Sequence, residues 1–438
     1  MKQNGAKTDR PLPGSIFDLY KIGAGPSSSH SIGPERAARL FLERVPARPA
    51  GIRVTLFGSL AATGRGHLTD QSVRRALAGV PVEFVWDTQT GDLNHPNTMR
   101  FDALGPDGAV QDSWTVYSIG GGNLRDDDGP VGDGEPTPYP GGSLTELLAY
   151  GDTQGLAFWQ LVERTEHDPW TRLESIWEVM EASVRRGLES RENFLPGSLK
   201  LARKARQTMT RGRDLASPQR DLALLAAFSL AVAEENAAGG TIVTAPSCGA
   251  AGVLPGLLYY YHTVKGIPRR DILEALATAG LFGSVIRANA SISGAEVGCQ
   301  GEIGSACSMA AAAGAQLLGG TLPQIEYAAE IAMEHHLGLT CDPVEGYVQI
   351  PCIERNMTAC LRAAECAVFA LLTDGRHLVS FDDVIDVMYR TGADLQSAYR
   401  ETARGGLADL WRRRMTSKQG PSAAAVTPVP EDHHSYCD

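Results

Sequence analysis

LALLAAFSLAVAEENAAGG, from Leu222 to Gly240, is apolar around most of its circumference when wound as a helix. A helix lying on a protein surface shows a single apolar stripe, so one of this kind belongs inside a bundle. The same character recurs in RDILEALATAGLFGSVIRAN (270–289), ACSMAAAAGAQLLGG (306–320) and IEYAAEIAMEHHLG (325–338). Glycines follow many of these runs, as they do at helix C-terminal caps, and no repeat of fixed period is present. The chain after Ser143 therefore reads as a mostly α-helical domain.

Working outward from that bundle, the residues before it have a different rhythm. GIRVTLFGSL (51–60), VEFVWD (82–87) and SWTVYSIGGG (113–122) carry the short alternation of strands, while PERAARLFLERV (34–45) carries the period of a helix. This predicts an α+β N-terminal domain over residues 15–150, a helical domain over 151–411 and a flexible tail over 412–438, whose Pro, Ser and Ala content suits a linker. DDDGPVGDGEPTPYPGG (126–142) is dense in Asp, Gly and Pro and reads as an exposed loop or junction.

The 438 residues allow two or three domains, and 43% hydrophobic with 21% charged content is that of a folded globular chain. A formal charge of -11 repels polyanions, and the only basic run is WRRRMTSK (411–418), so a small-molecule partner is expected and nucleic acid is not. No apolar run is long enough to span a bilayer and the first residues lack a signal-peptide segment, so no membrane partner and a cytoplasmic location are expected.

Eight cysteines are too sparse for a disulfide scaffold, but their placement is uneven: seven lie between Cys248 and Cys366, and the last is Cys437. Cys299, Cys341 and Cys352 are flanked by Gly, Pro or polar residues, whereas Cys307, Cys360 and Cys366 fall in Ala-rich helical runs where a thiol acts as a small hydrophobe. The spacing matches neither a zinc ribbon nor a ferredoxin, so by pattern alone the three are loop thiols or ligands. As ligands, three thiolates suit an iron–sulfur cluster with one iron left open for Lewis-acid chemistry. Two histidines also stand in glycine-rich, non-helical settings, His30 in GPSSSH and His67 in GRGHLTD. A lone loop histidine is more often a surface or structural group, so the residues alone choose neither.

GPSSSHSIGP, FGSLAATGRGHLTD, YSIGGG, EENAAGGTIVTAP, NASISGAEVGCQGEIGSACSMAAA, MEHHLGLTCDPVEGYVQIPCIERN and YRETARGGLA together make the chain resemble the bacterial single-chain L-serine dehydratases. These are iron–sulfur, pyridoxal-phosphate-independent L-serine ammonia-lyases, and the resemblance runs in register from Ser15 to Leu407. It implies a 4Fe-4S cluster on Cys299, Cys341 and Cys352, no PLP, conversion of L-serine to pyruvate and ammonia, and oxygen sensitivity. It also implies that His67 takes the α-proton with His30 beside it, and that the tail thiolate of Cys437 occupies the open iron in competition with serine. The N-terminal domain resembles one shared with some phosphoglycerate dehydrogenases.

Ser27, Ser28 and Ser29 carry hydroxyl and N–H donors suited to a carboxylate, or else cap the helix that follows, since Pro34 stands at a good first-turn position. Asn289, Ser291 and Ser293 are read as lining the substrate pocket, with Glu296 and Glu302 as partners for the ammonium group. Asp342 is a turn residue or supports the cysteines from behind. Many relatives read Thr-Asn where this chain has Ser247-Cys248. The alternatives are a dehydratase of a related amino acid such as threonine, and a serine-responsive regulator without turnover. No lysine lies in the polar motifs, which disfavours a pyridoxal phosphate enzyme, and two large domains favour a homodimer.

Overall fold

The computed structural model describes residues 10–132 and 139–418. Strand Gly51–Phe57 alternates as its sequence demands: Ile52, Val54 and Leu56 are fully buried while Arg53 and Thr55 are half-buried. It lies second in a six-stranded sheet whose order is Val82–Asp87, Gly51–Phe57, Thr98–Leu104, Val110–Ser118, Leu124–Asp126 and Gly129–Val131. Only the first pair is parallel. Helices Gly33–Arg44 and Thr69–Ala76 cover this sheet through Ala37, Phe41 and Val73, closing a core separate from that of the helical region. The stretch expected as a loop from Asp126 begins as the last hairpin of the sheet, because Asp127 and Asp128 form the turn between two short strands.

The helical region begins at Leu144, where Ser143 and Glu146 form a capping box. Helix Gln219–Ala237 is at its centre, and every residue from Leu224 to Ala237 is buried. Packed around it are Pro169–Glu189, Val253–Thr263 and Cys352–Leu371, with Arg269–Asn289, Ile303–Leu317 and Leu322–Glu334 completing the bundle. The small residues of Ile303–Leu317, buried without a break from Ile303 to Ala315, let neighbouring backbones approach closely. Helix Gly406–Lys418 carries Arg412–Lys418, residues read above as the start of the tail.

The polar end of the central helix clamps its surroundings. Glu234 accepts from the N–H groups of Lys204 and Ala205 (2.6 and 3.1 Å), and the Asn236 amide donates to the Pro26 carbonyl (2.8 Å). Gly25 is required beside it, since a Cβ there would lie 2.3 Å from the Asn236 carbonyl oxygen. Strand Ile22–Ala24 pairs antiparallel with Thr241–Val243, and Ile16, Phe17, Leu19 and Tyr20 are buried in the helical core. The N-terminal segment is thus part of the bundle before the chain enters the sheet, which puts GPSSSH at the seam of the two regions.

Candidate active site

Three elements bring the three cysteines to one narrow cavity. Cys299 lies in the tight turn Gly298–Gln300, Cys341 in the extended stretch after helix Leu322–Glu334, and Cys352 at the start of helix Cys352–Leu371. All three are buried free thiols. The backbone fixes them to one another: Cys299 N–H donates to the Leu339 carbonyl (2.9 Å), and Cys341 exchanges main-chain hydrogen bonds with Tyr399 and Glu401 (both 2.8 Å). Glycine is needed where the walls meet, because a Cβ on Gly294 would fall 2.7 Å from Glu302 Oε2 and 3.2 Å from Cys341 Sγ. Asn356, one turn into the Cys352 helix, accepts from Gly252 N–H (2.8 Å) and donates to the Gly249 carbonyl (2.7 Å), holding the Ser247–Gly252 loop against the cysteines.

The thiols do not share one environment. A hydrogen bond from Cys341, reinforced against burial by the Arg355 guanidinium, holds Cys299 below the ordinary thiol range. Cys341 is raised by giving that hydrogen bond and by burial, and Cys352 is raised by burial. Arg355 reaches this site from the Cys352 helix and donates to the Thr340 carbonyl (2.6 Å). Glu302 also lines the cavity; its carboxylate accepts from Ser247 (2.6 Å), and burial followed by the nearby Cys299 pushes it up to about 8.

The opposite wall comes from the N-terminal region and the last loop. Ser27 and His67 line the cavity, joined by Glu401. Ser27 caps the helical turn Ser28–Ile32, its hydroxyl accepting from His30 N–H (3.1 Å), so the capping role expected of the serine cluster is present. His67 is fixed by Ser31, which donates to its carbonyl (2.7 Å), and by Thr63 Oγ1, 3.3 Å from Nδ1. Thr63 gives its one hydroxyl proton to the Ser59 carbonyl (3.0 Å), so it accepts from His67 Nδ1–H, leaving Nε2 as the basic nitrogen. Gly66 permits this loop to meet the cysteine loop, since a Cβ would lie 2.9 Å from the Gly346 carbonyl.

His30 stands behind His67, with ring centroids 4.4 Å apart. Ser59 donates to the Glu401 carbonyl (2.9 Å) and so accepts from His30 Nε2 (3.2 Å), while Ser29 Oγ donates to His30 Nδ1 (2.8 Å). Burial lowers His30 to about 4 and His67 well below its usual range, the latter also through His30. Both rings are therefore neutral at pH 7. The 3.6 Å approach of Glu401 to His30 is for that reason not a salt bridge, and burial drives the Glu401 carboxyl upward as well.

The remaining residues read from the sequence lie in different surroundings. Ser291 donates to Glu296, whose charge burial opposes but the hydrogen bonds from His95 (3.1 Å) and Ser291 hold below the usual carboxylate range. Ser293 packs against Gly120 with its hydroxyl unpartnered, and Asn289 points its amide at the Gly142 carbonyl (2.9 Å). None of these four is in the cavity lining. Asp342 accepts from Leu407 N–H (2.7 Å), anchoring the turn at Gly406, where a Cβ would lie 2.0 Å from its carboxylate. Cys248 is buried, and nothing in the structure gives it a role. Cys437 lies outside the described residues. Ser59, Thr63, Arg355 and Glu401 were not singled out from sequence, although each sits inside a motif that was.

The family described as serine dehydratase alpha chain matches residues 97–408, and that described as serine dehydratase beta chain matches residues 15–88. An L-serine dehydratase of Streptomyces coelicolor is 44% identical, the match covering 90% of this chain and 98% of the relative. L-serine dehydratase 2 of Escherichia coli is 40% identical with the same coverage, and the L-serine dehydratase of Helicobacter pylori is 38% identical, again over 90% and 98%. With both family matches meeting across the walls of one cavity, and relatives similar over nearly their whole length, the chain belongs to the serine dehydratase family.

Proposed function

We propose that the chain is an L-serine dehydratase, converting L-serine to pyruvate and ammonia, and that Cys299, Cys341 and Cys352 hold a 4Fe-4S cluster. The observation that carries this reading is the facing of three buried free thiols and a neutral histidine across one enclosed cavity. The donor set fits the group: three soft ligands, no disulfide among them, glycine at the closest approach and a guanidinium to offset accumulated negative charge. When bound, the cluster would supply Lewis acidity toward the β-hydroxyl, which is otherwise a poor leaving group.

The chain's own residues would do the rest. His67 Nε2, unprotonated because the ring is buried and its Nδ1 proton is given to Thr63, takes the α-proton. The Ser27–Ser29 turn receives the substrate carboxylate, since first-turn N–H groups have no carbonyl of their own to bond. His30 keeps Ser29 and Ser59 in register and thereby holds the wall in shape. Pro343 and Val348 close the apolar side and exclude water from the reacting carbon. The aminoacrylate released tautomerises and hydrolyses without the protein. Among the described residues no lysine lines the cavity, the group a pyridoxal phosphate enzyme would use.

The test is anaerobic purification, with iron and sulfide per chain and pyruvate from L-serine measured before and after exposure to air. About four irons per chain and turnover that dies in air are expected. Turnover without iron would overturn the cysteine assignment, and iron without turnover would overturn the enzyme.

A further inference from the structure

Two glutamates line the cavity, and each keeps different company. One carboxyl oxygen of Glu302 lies within 4.8 Å of the Cys299 and Cys341 sulfurs, whereas one of Glu401 lies within 4.8 Å of a ring nitrogen of His30 and of His67. Glu302 is already engaged, by Ser247. Glu401 is not: it is 5% exposed, its Oε2 has no hydrogen-bond partner, and no arginine or lysine among the described residues pairs with it. A buried carboxyl oxygen left without a hydrogen-bond partner is costly, so an orphan of this kind is retained where a partner arrives from outside.

The backbone reinforces the point. Glu401 has φ of 56°, a left-handed conformation that costs a non-glycine residue on the order of 1 kcal/mol or more. Two anchors hold it there, its N–H on the Cys341 carbonyl (2.8 Å) and its carbonyl on the Ser59 hydroxyl (2.9 Å). These tie one residue's backbone to both walls at once. Such strain persists at functional sites where the surroundings over-determine it.

We infer that Glu401 is the acceptor for the α-ammonium group of the substrate, an assignment that rests on the serine reading above. The α-proton and the ammonium share one carbon, so the base and the ammonium acceptor must be neighbours, as His67 and Glu401 are. The β-hydroxyl, one carbon further, then points to the cysteine wall where Glu302 sits. Glu296, taken from the sequence as a partner for the ammonium, is instead occupied by His95 and Ser291. The pairing also gives the cavity a reason to prefer an amino acid over a hydroxy acid of the same shape, because only the former brings the cation.

The test compares the holoenzyme with Glu401→Gln, which keeps the shape and removes the carboxyl group. The readouts are iron and sulfide content, KM for L-serine, the inhibition constant of 3-hydroxypropanoate, which lacks only the amine, and the shift of the anaerobic unfolding midpoint by L-alanine, which cannot lose water. The expected result is unchanged iron, KM raised about 100-fold, an inhibition constant within about threefold of wild type, a lost L-alanine shift, and partial rescue in Glu401→Asp. Equal weakening of both ligands, or of neither, would overturn the assignment. So would loss of iron or of the folded state in Glu401→Gln, since the carboxylate would then be serving the cysteine wall. A wild-type chain that holds no iron and makes no pyruvate overturns instead the serine reading on which the assignment stands.

Discussion

The two walls of the cavity are built on different principles. The cysteine wall is made by packing: its cysteines sit in a tight turn, in an extended stretch and at a helix start, and glycines at 249, 294 and 298 give the approach that side chains would block. The histidine wall is made by hydroxyls. Ser27, Ser29, Ser31, Ser59 and Thr63 orient two neutral rings through a chain of hydrogen bonds that reaches the Glu401 carbonyl. A packed wall can hold a rigid inorganic group, while a hydrogen-bonded wall can fix the tautomer of a base. The difference teaches that variants on the two sides should fail in different ways.

The largest effect is expected on the cysteine side. Cys299→Ser, Cys341→Ser or Cys352→Ser should each lower the iron and sulfide recovered from anaerobic protein and abolish pyruvate formation, while Cys307→Ser, Cys360→Ser and Cys366→Ser should retain both. Iron content equal in the two sets would break the comparison. On the other wall, His67→Asn should cut kcat by ~10²–10⁴-fold with iron unchanged, because a base is removed and no ligand is. Loss of iron in that variant would mean that the walls are not separate.

A pH experiment sharpens the picture of the histidine wall. The folded pKa of His30, about 4, lies below its ordinary value of 6.5, so between these the unfolded chain binds a proton that the folded chain refuses. Its contribution is fully present above pH 6.5 and is lost as pH falls toward 4, on the order of 3 kcal/mol across the window. Denaturant unfolding at pH 6.5 and 4.5 should therefore show a steeper acid loss for wild type than for His30→Asn. Parallel slopes would show that the ring is not buried neutral.

The smallest effect concerns the joint between the walls. Gly406 has φ of 51° and no room for a Cβ beside Asp342, so Gly406→Ala should cost about 1–3 kcal/mol of stability and disturb the turn that follows Glu401. Asp342→Asn should be milder, since an amide oxygen still accepts from Leu407 N–H. A Gly406→Ala protein as stable as wild type would detach that turn from the cavity.

Much of this was legible in the chain itself. The all-round apolar helices determined a buried bundle, because no other environment accepts such a surface, and Gly51–Phe57 determined a half-buried strand through its alternation. The glycine- and proline-flanked cysteines could be told from the helical ones, and the motifs around them pointed to the family. What sequence did not decide was which polar residues meet. Asn289, Ser291 and Ser293 share a motif with Cys299 yet lie outside the cavity lining, while Glu401, sixty residues beyond Cys341, is hydrogen-bonded to it through the backbone. Proximity along the chain is set by covalent bonds, which the sequence states outright. Proximity of a buried hydroxyl, ring and carboxylate is set by how two cores close against each other, and only the tertiary structure holds that information.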